Sequence, residues 1–187
     1  MDTLKQNSGT HIETDLLLLR PIVMEDAPSL LELFSDSTTM RYFPSTKDLN
    51  ETEEWVKETQ QRKDRDGHTF LLVVRKDDTA TLGYCGLILQ QDVDGTDEIE
   101  VGYGLKRKYW HFGYATQAAA ACLTHGFSTL NLNRIISLIR PENAASIAVA
   151  KRNGLQCEKR VERWGYLHDV YAIDRIEFAA FNGGIRT

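Results

Sequence analysis

Cysteine is scarce in this chain: Cys85, Cys122 and Cys157 are the only three. An odd count, far apart in sequence and at no metal-ligand spacing, provides neither a disulfide framework nor a zinc cluster. A reducing, cytoplasmic setting is expected. Long apolar runs are missing too. The "LLLL" of residues 16–19 falls far short of the roughly 20 residues that cross a bilayer, so it reads as a buried strand and no membrane partner is expected. The polar N-terminus has no signal-peptide profile. Positive charge is not in excess: 22 Lys and Arg stand against 27 Asp and Glu, a net charge of −5. That balance argues against nucleic acid as a partner. The five histidines form no His-Glu-x-x-His motif, and no metal is expected. A P-loop and a three-glycine dinucleotide fingerprint are both absent. So are internal repeats, low-complexity segments and interdomain linkers. With 187 residues and 42% hydrophobic content, the chain reads as one domain over residues 1–187. A loose N-terminus is expected over 1–13 and a tail over 179–187.

What is present is concentrated between Glu98 and Gly154. Ile99, Val101, Tyr103 and Leu105 alternate with Glu98, Glu100, Gly102 and Gly104, the period of a strand with one apolar face. Glycines inside a strand often mark a place where a ligand or another backbone comes close. Glu100 would then stand at the edge of an open groove; the plain alternative is a solvated strand face. Gly113 follows an aromatic turn and precedes Ala115, Ala118, Ala119, Cys122, Leu123 and Phe127 at helical spacing. A strand, a glycine turn and a helix N-terminus make an anion site, because the first-turn N–H groups and the helix dipole face the ligand. Residues 135–139 read as a short buried strand stopped by Pro141. Asn143 is a good N-cap for a helix starting at Ala144, and Gly154 is its natural stop. The basic run Lys106, Arg107 and Lys108 is either a solvated face or a lure for phosphate.

The flanks supply the rest of a sheet. Strands are expected over 15–20, 68–75 and 81–90, and two more around Trp164-Gly165 ending near Phe178. Helices are expected from about Asp26 and over 50–66.

Four ordered segments carry a family resemblance. "LRPIVMEDAPSLLELF", the strand "EVGY", the turn "WHFGYA" and "PENAAS" followed by "NGL" resemble the acetyl-coenzyme-A-binding GNAT acyltransferase superfamily, and within it the Rim-type branch that acetylates ribosomal-protein N-termini. The likeness runs from about Asp15 to Asp174. It implies an α+β (mixed α/β) fold: one GNAT-like domain with a mostly antiparallel twisted sheet of about seven strands, splayed at a cofactor groove and flanked by about four helices.

The resemblance also implies an N-acetyltransferase. It would move an acetyl group from acetyl-CoA to a primary amine, a protein N-terminus or a small molecule, by direct attack in a ternary complex. A non-catalytic acyl-CoA-binding module is the alternative. Monomers and homodimers are both compatible. By position, the strand residues Tyr103 and Leu105 would run along pantetheine. Trp110, His111, Phe112, Gly113, Tyr114, Ala115 and Thr116 would cradle the pyrophosphate. Asn143 would hold the pantetheine arm unless it serves only as an N-cap. Glu100 would be the general base, and a backbone N–H near Tyr103 the oxyanion donor. Ser146 would touch the cofactor or assist as acid, or else satisfy backbone in its helix turn. The turn departs from the branch pattern at His111 and Phe112, where Gly-Lys or Gly-Arg is usual, and at Gln117, where Glu is usual. Ala150 stands where many members place an acidic tyrosine.

Overall fold

A computed structural model describes residues 11–183. Its centre is the strand β5 (Glu98–Leu105). The alternation read from the sequence is the packing found. Ile99, Val101, Tyr103 and Leu105 join one apolar layer. Gly102 and Gly104 turn the other way, against the rings of Phe70 and Tyr84.

Before β5 come β1 (Ile12–Glu13), β2 (Leu17–Pro21), α1 (Ala27–Phe34), α2 (Leu49–Asp66), β3 (Phe70–Arg75) and β4 (Thr81–Gln90). After it come α3 (Tyr114–Ser128), β6 (Arg134–Ile139), α4 (Ala144–Arg152), β7 (Gln156–Arg163), β8 (Tyr166–Asp174) and α5 (Arg175–Gly183). One sheet holds all eight strands, in the order β1-β2-β3-β4-β5-β6-β8-β7. Every neighbouring pair is antiparallel except β5 and β6. A parallel pair needs a crossover, and α3 provides it. β5 and β6 share a single register pair, Glu100 with Ile136, and diverge beyond it.

Two apolar layers hold the sheet. Ala118, Ala119, Cys122 and Gly126 are the buried small residues of α3; they let the helix lie close, and Leu123 and Phe127 then fill the layer with α4's Val149 and Ala150. Each large side chain so buried contributes about 1.5–3 kcal/mol. On the other face, Leu30, Leu33 and Phe34 of α1 and Val56 of α2 meet Leu72, Val74 and Tyr84. Asp48 and Glu51 form a reciprocal capping box at the start of α2, and Gly67 closes it in a left-handed turn.

The expected fold class holds, with eight strands and five α-helices among the described residues rather than about seven and four. Two expectations at the ends are corrected. Ile12–Glu13 is not loose but pairs with β2, since the Thr14 hydroxyl accepts from the Leu17 N–H (2.9 Å) and ties the turn. Residues 179–183 are not tail but the end of α5. Glu177 accepts from the Asp174 N–H at its start, and Phe178 packs on Phe127, ring centres 4.8 Å apart. The remaining expectations for 1–10 and 184–187 lie outside the described residues.

Candidate active site

Where β5 and β6 part, backbone groups lose their ladder partners, and side chains take over. The Leu138 N–H donates to Glu100 Oε1 (3.0 Å), and Gln90 Nε2 on β4 donates to Glu100 Oε2 (2.6 Å). Glu100 thus pins the splay from within, at only 9% exposure. Burial pushes its carboxyl above the ordinary value, against the two hydrogen bonds that pull it down. The carboxylate keeps lone pairs beyond these two bonds.

Tyr103 spans the same gap one step further on. Its phenol donates to the Ser146 carbonyl on α4 (3.1 Å), and burial holds that phenol protonated well above its usual range. Asn143 caps α4, accepting from the Ser146 N–H through Oδ1 (3.2 Å). Ser146 therefore commits its N–H and its carbonyl, and its hydroxyl takes part in neither bond. Ala150 is 3% exposed and packed in the core.

The turn before α3 is shaped by its backbone. His111 (φ 66°) and Gly113 (φ 81°) both lie in the left-handed region. A histidine held there is strained, a state that persists only where the surroundings over-determine it. A Cβ on Gly113 would meet nothing within 4 Å, so the turn faces open space at the N-terminus of a 15-residue helix. The first intrahelical donor is the Gln117 N–H, bonded to the Gly113 carbonyl, which leaves the N–H groups of Tyr114, Ala115 and Thr116 for a ligand. Trp110 Nε1 donates to the Leu105 carbonyl (2.7 Å), fastening the turn to the end of β5. Gln117 accepts from the Thr14 hydroxyl (2.8 Å) and so serves the β1–β2 turn. Two of the basic run turn to α1: Lys106 reaches Ser29 (2.9 Å) and Glu32 (3.0 Å), and Lys108 reaches Glu32 (3.2 Å), while Arg107 lies 3.9 Å from Asp36, just past that helix.

Two cavities meet at the splay. The larger, about 790 Å³, runs along Tyr103 and Leu105 to Trp110, His111, Gly113, Tyr114, Ala115 and Thr116. Its size and the free N–H groups at one end fit an elongated, phosphate-bearing ligand. The smaller, about 350 Å³, lies on the other side of β5 and contains Glu100. Tyr42, Phe43, Tyr103, Asn143 and Ser146 border both. Of the residues expected from sequence, Phe112 alone lines neither cavity; its ring is 68% exposed and stacks on Tyr114. Gly102 lines the smaller cavity with Glu100, and Gly104 lines the larger, as the expected groove requires; what comes close to their bare faces is the rings of Phe70 and Tyr84, which floor the smaller cavity. Phe178, Phe181 and Asn182 of α5, and Arg152, line the larger cavity unforeseen. The one available signal was the i, i+3 spacing of Phe178 and Phe181.

A family model described as "Acetyltransferase (GNAT) domain" matches residues 17–156. An uncharacterized protein, YkkB of Bacillus subtilis (strain 168), is 34% identical over 166 residues, 88% of this chain and 96% of its own. An acetyltransferase crystal structure from Agrobacterium tumefaciens str. C58 superposes with a TM-score of 0.76 at 27% identity, covering 92% of this chain and 98% of its own. RimL, a ribosomal L7/L12 alpha-N-protein acetyltransferase solved in complex with coenzyme A, shares the fold with a TM-score of 0.71 at 22% identity, over 88% of this chain and 98% of its own.

Proposed function

This chain belongs to the GNAT acetyltransferase family, and from that premise we propose that it transfers an acetyl group from acetyl-CoA to a primary amine in a ternary complex. The observation that carries the reading is the meeting of two cavities across Tyr103, with one buried carboxylate, Glu100, on the far side. The larger cavity suits the cosubstrate, as coenzyme A is bound by RimL on the same fold. Acetyl-CoA brings the thioester carbonyl that the amine attacks: a C–N bond forms and the C–S bond breaks.

The chain's own groups divide the remaining work. The turn from Trp110 to Thr116 holds the pyrophosphate by backbone N–H groups, so the imidazole of His111 and the ring of Phe112 are secondary. Tyr103 and Leu105 align the pantetheine, and a backbone N–H near Tyr103 faces the developing oxyanion. The amine arrives as an ammonium. It gives one proton to Glu100, whose raised pKa suits it as a base, and Glu100 returns that proton to water. The second N–H proton leaves with the released coenzyme A thiol. With Ala150 buried, no side chain at that position assists. The Ser146 hydroxyl and the Tyr103 phenol are among the donors that border both cavities, and a thiol with a pKa near 8.5 leaves readily with little help.

The test is thiol release from acetyl-CoA over an amine panel, with calorimetry for acetyl-CoA alone. Glu100→Gln should lower turnover about 100-fold or more. Cofactor binding without turnover on any amine would instead favour the binding-module alternative.

A further inference from the structure

We infer that the smaller cavity takes a compact primary amine bearing one positive charge and a flat apolar body, the aralkylamine class. This rests on the acetyl-transfer reading and names the acceptor within it. The cavity has aromatic walls on opposite sides. Trp55, Phe70 and Tyr84 form its floor, ring centres 4.9–5.7 Å apart in one continuous cluster. Trp164 and Tyr166 close it from the β7–β8 hairpin. That hairpin turns through Trp164 (φ 52°) and Gly165 (φ 76°), the left-handed pair of a tight two-residue turn. A tryptophan in that position is strained, yet it is 58% exposed and packs edge-on to His168 at 5.4 Å. Strain at an exposed aromatic beside a cavity points to a binding role.

The charges select further. Glu100 is the cavity's only acid. Its one cation is already matched: Arg140 lies 4.0 Å over the Tyr166 ring and 3.6 Å from Glu142. Arg163 lies 4.8 Å over the Trp164 ring and donates to the Gln91 and Asp92 carbonyls, so both hairpin rings already carry a guanidinium and the floor rings are left to meet the acceptor. His168 holds its proton on Nδ1, since the Tyr166 carbonyl 3.1 Å away can only accept. Burial lowers the His168 pKa, keeping the ring neutral. One buried carboxylate beside the floor rings Trp55, Phe70 and Tyr84 fits one ammonium, by ion pairing and cation–π attraction. A polyamine would bring a second ammonium with no second acid to meet it. A nucleotide or other polyanion would meet the buried Glu100 carboxylate, and the nearby guanidiniums of Arg140 and Arg163 are held over rings. A peptide would bring several amide groups to a cavity floored by three aromatic rings. Unpaired amides in such a space are costly. A volume of about 350 Å³ lies at the small end for ligand sites.

The experiment compares 2-phenylethylamine, spermidine and an alanine-led tetrapeptide by thiol release, with acetyl-CoA binding measured separately by calorimetry. The expected result is a kcat/KM for 2-phenylethylamine about tenfold or more above both others. Trp164→Ala should raise its KM about tenfold at similar kcat, and Trp164→Phe should restore most of the loss. Equal or better use of spermidine or the peptide overturns the acceptor class while leaving acetyl transfer intact. No turnover of any of the three, with acetyl-CoA heat retained, overturns it as well. Absence of acetyl-CoA heat removes the acetyl-transfer reading itself, and this inference with it.

Discussion

Glu100 serves two purposes that pull its pKa in opposite directions. As a pin it accepts two hydrogen bonds, which favour the ionised form; burial disfavours that form and prevails. A carboxyl whose folded pKa is raised contributes stability that is fully present below its unfolded value, near 4.3, and is lost as pH rises through the folded value. Gln at this position can still accept from Leu138 and, with Gln90 flipped, still bond to it. Glu100→Gln should therefore be as stable as the parent at pH 7 or more so, with the parent's advantage reappearing only towards pH 4. Thermal melts of both proteins across that range check the sign. The acidic limb of kcat/KM should lie above the ordinary carboxylate range and vanish in the variant. His111 presents the opposite case, a residue whose side chain departs from the resembling pattern while its backbone (φ 66°) stays where glycine is usual. If the turn binds through N–H groups, His111→Gly should leave acetyl-CoA affinity within about threefold, because glycine adopts that conformation without strain. A tenfold loss by calorimetry would give the imidazole a direct role. The period-two pattern and the resemblance singled out Glu100, but not its partners. Gln90 lies ten residues back and Leu138 lies 38 ahead, and only the divergence of β5 from β6 makes a backbone N–H available to a side chain.

At the scale of elements, β5 shows how a strand can be legible while its surroundings are not. Its apolar face, its limits and its pairing with β4 follow from alternation and a polar turn. The glycine face does not, because the absence of a side chain says only that something approaches. Here it is the Phe70 and Tyr84 rings, from β3 and β4. A Cβ on Gly104 would come within 2.7 Å of Tyr84, which is 4% exposed and enclosed by Phe34, Trp55 and Phe70. Gly104→Ala should cost about 1–3 kcal/mol by overpacking and should raise the amine KM by tilting the cavity floor. Urea denaturation and steady-state kinetics measure the two effects, and an unchanged stability would mean the ring layer is looser than the packing implies. β1 was illegible because two residues display no period. α5 was illegible because "RIEFAAF" continues the apolar character of β8, so its helical spacing is short and easily read as strand. Both gaps are made good by tertiary contacts, Thr14 to Gln117 and Phe178 to Phe127.

At the scale of the whole molecule, the two cavities described lie to either side of β5 and share Tyr42, Phe43, Tyr103, Asn143 and Ser146 at the splay. On the proposed reading such an arrangement would hold both substrates at once, and among the described residues no thiol lines either cavity. Cys85 and Cys122 are the thiols nearest β5, their Sγ atoms 3.6 Å apart, but both are sealed between β4 and α3, and burial pushes the Cys85 thiol up. Cys157 is exposed on β7 and lines neither cavity. A buried thiol is a poor nucleophile, and an acetyl-cysteine intermediate would need a thiol beside the thioester. Initial-rate plots against both substrates should therefore intersect rather than run parallel, and intact-mass spectra after mixing with acetyl-CoA alone should show no added acetyl group. Replacing all three cysteines with Ala or Ser tests the same point from the other side. Loss of Cys85 or Cys122 should reduce stability through packing, because both are buried in the α3–β4 layer. Turnover per folded molecule should persist. Parallel lines, or a stable acetyl adduct on Cys157, would mean that the chain shuttles the acetyl group in two steps, and the two cavities would then have to fill in turn rather than together.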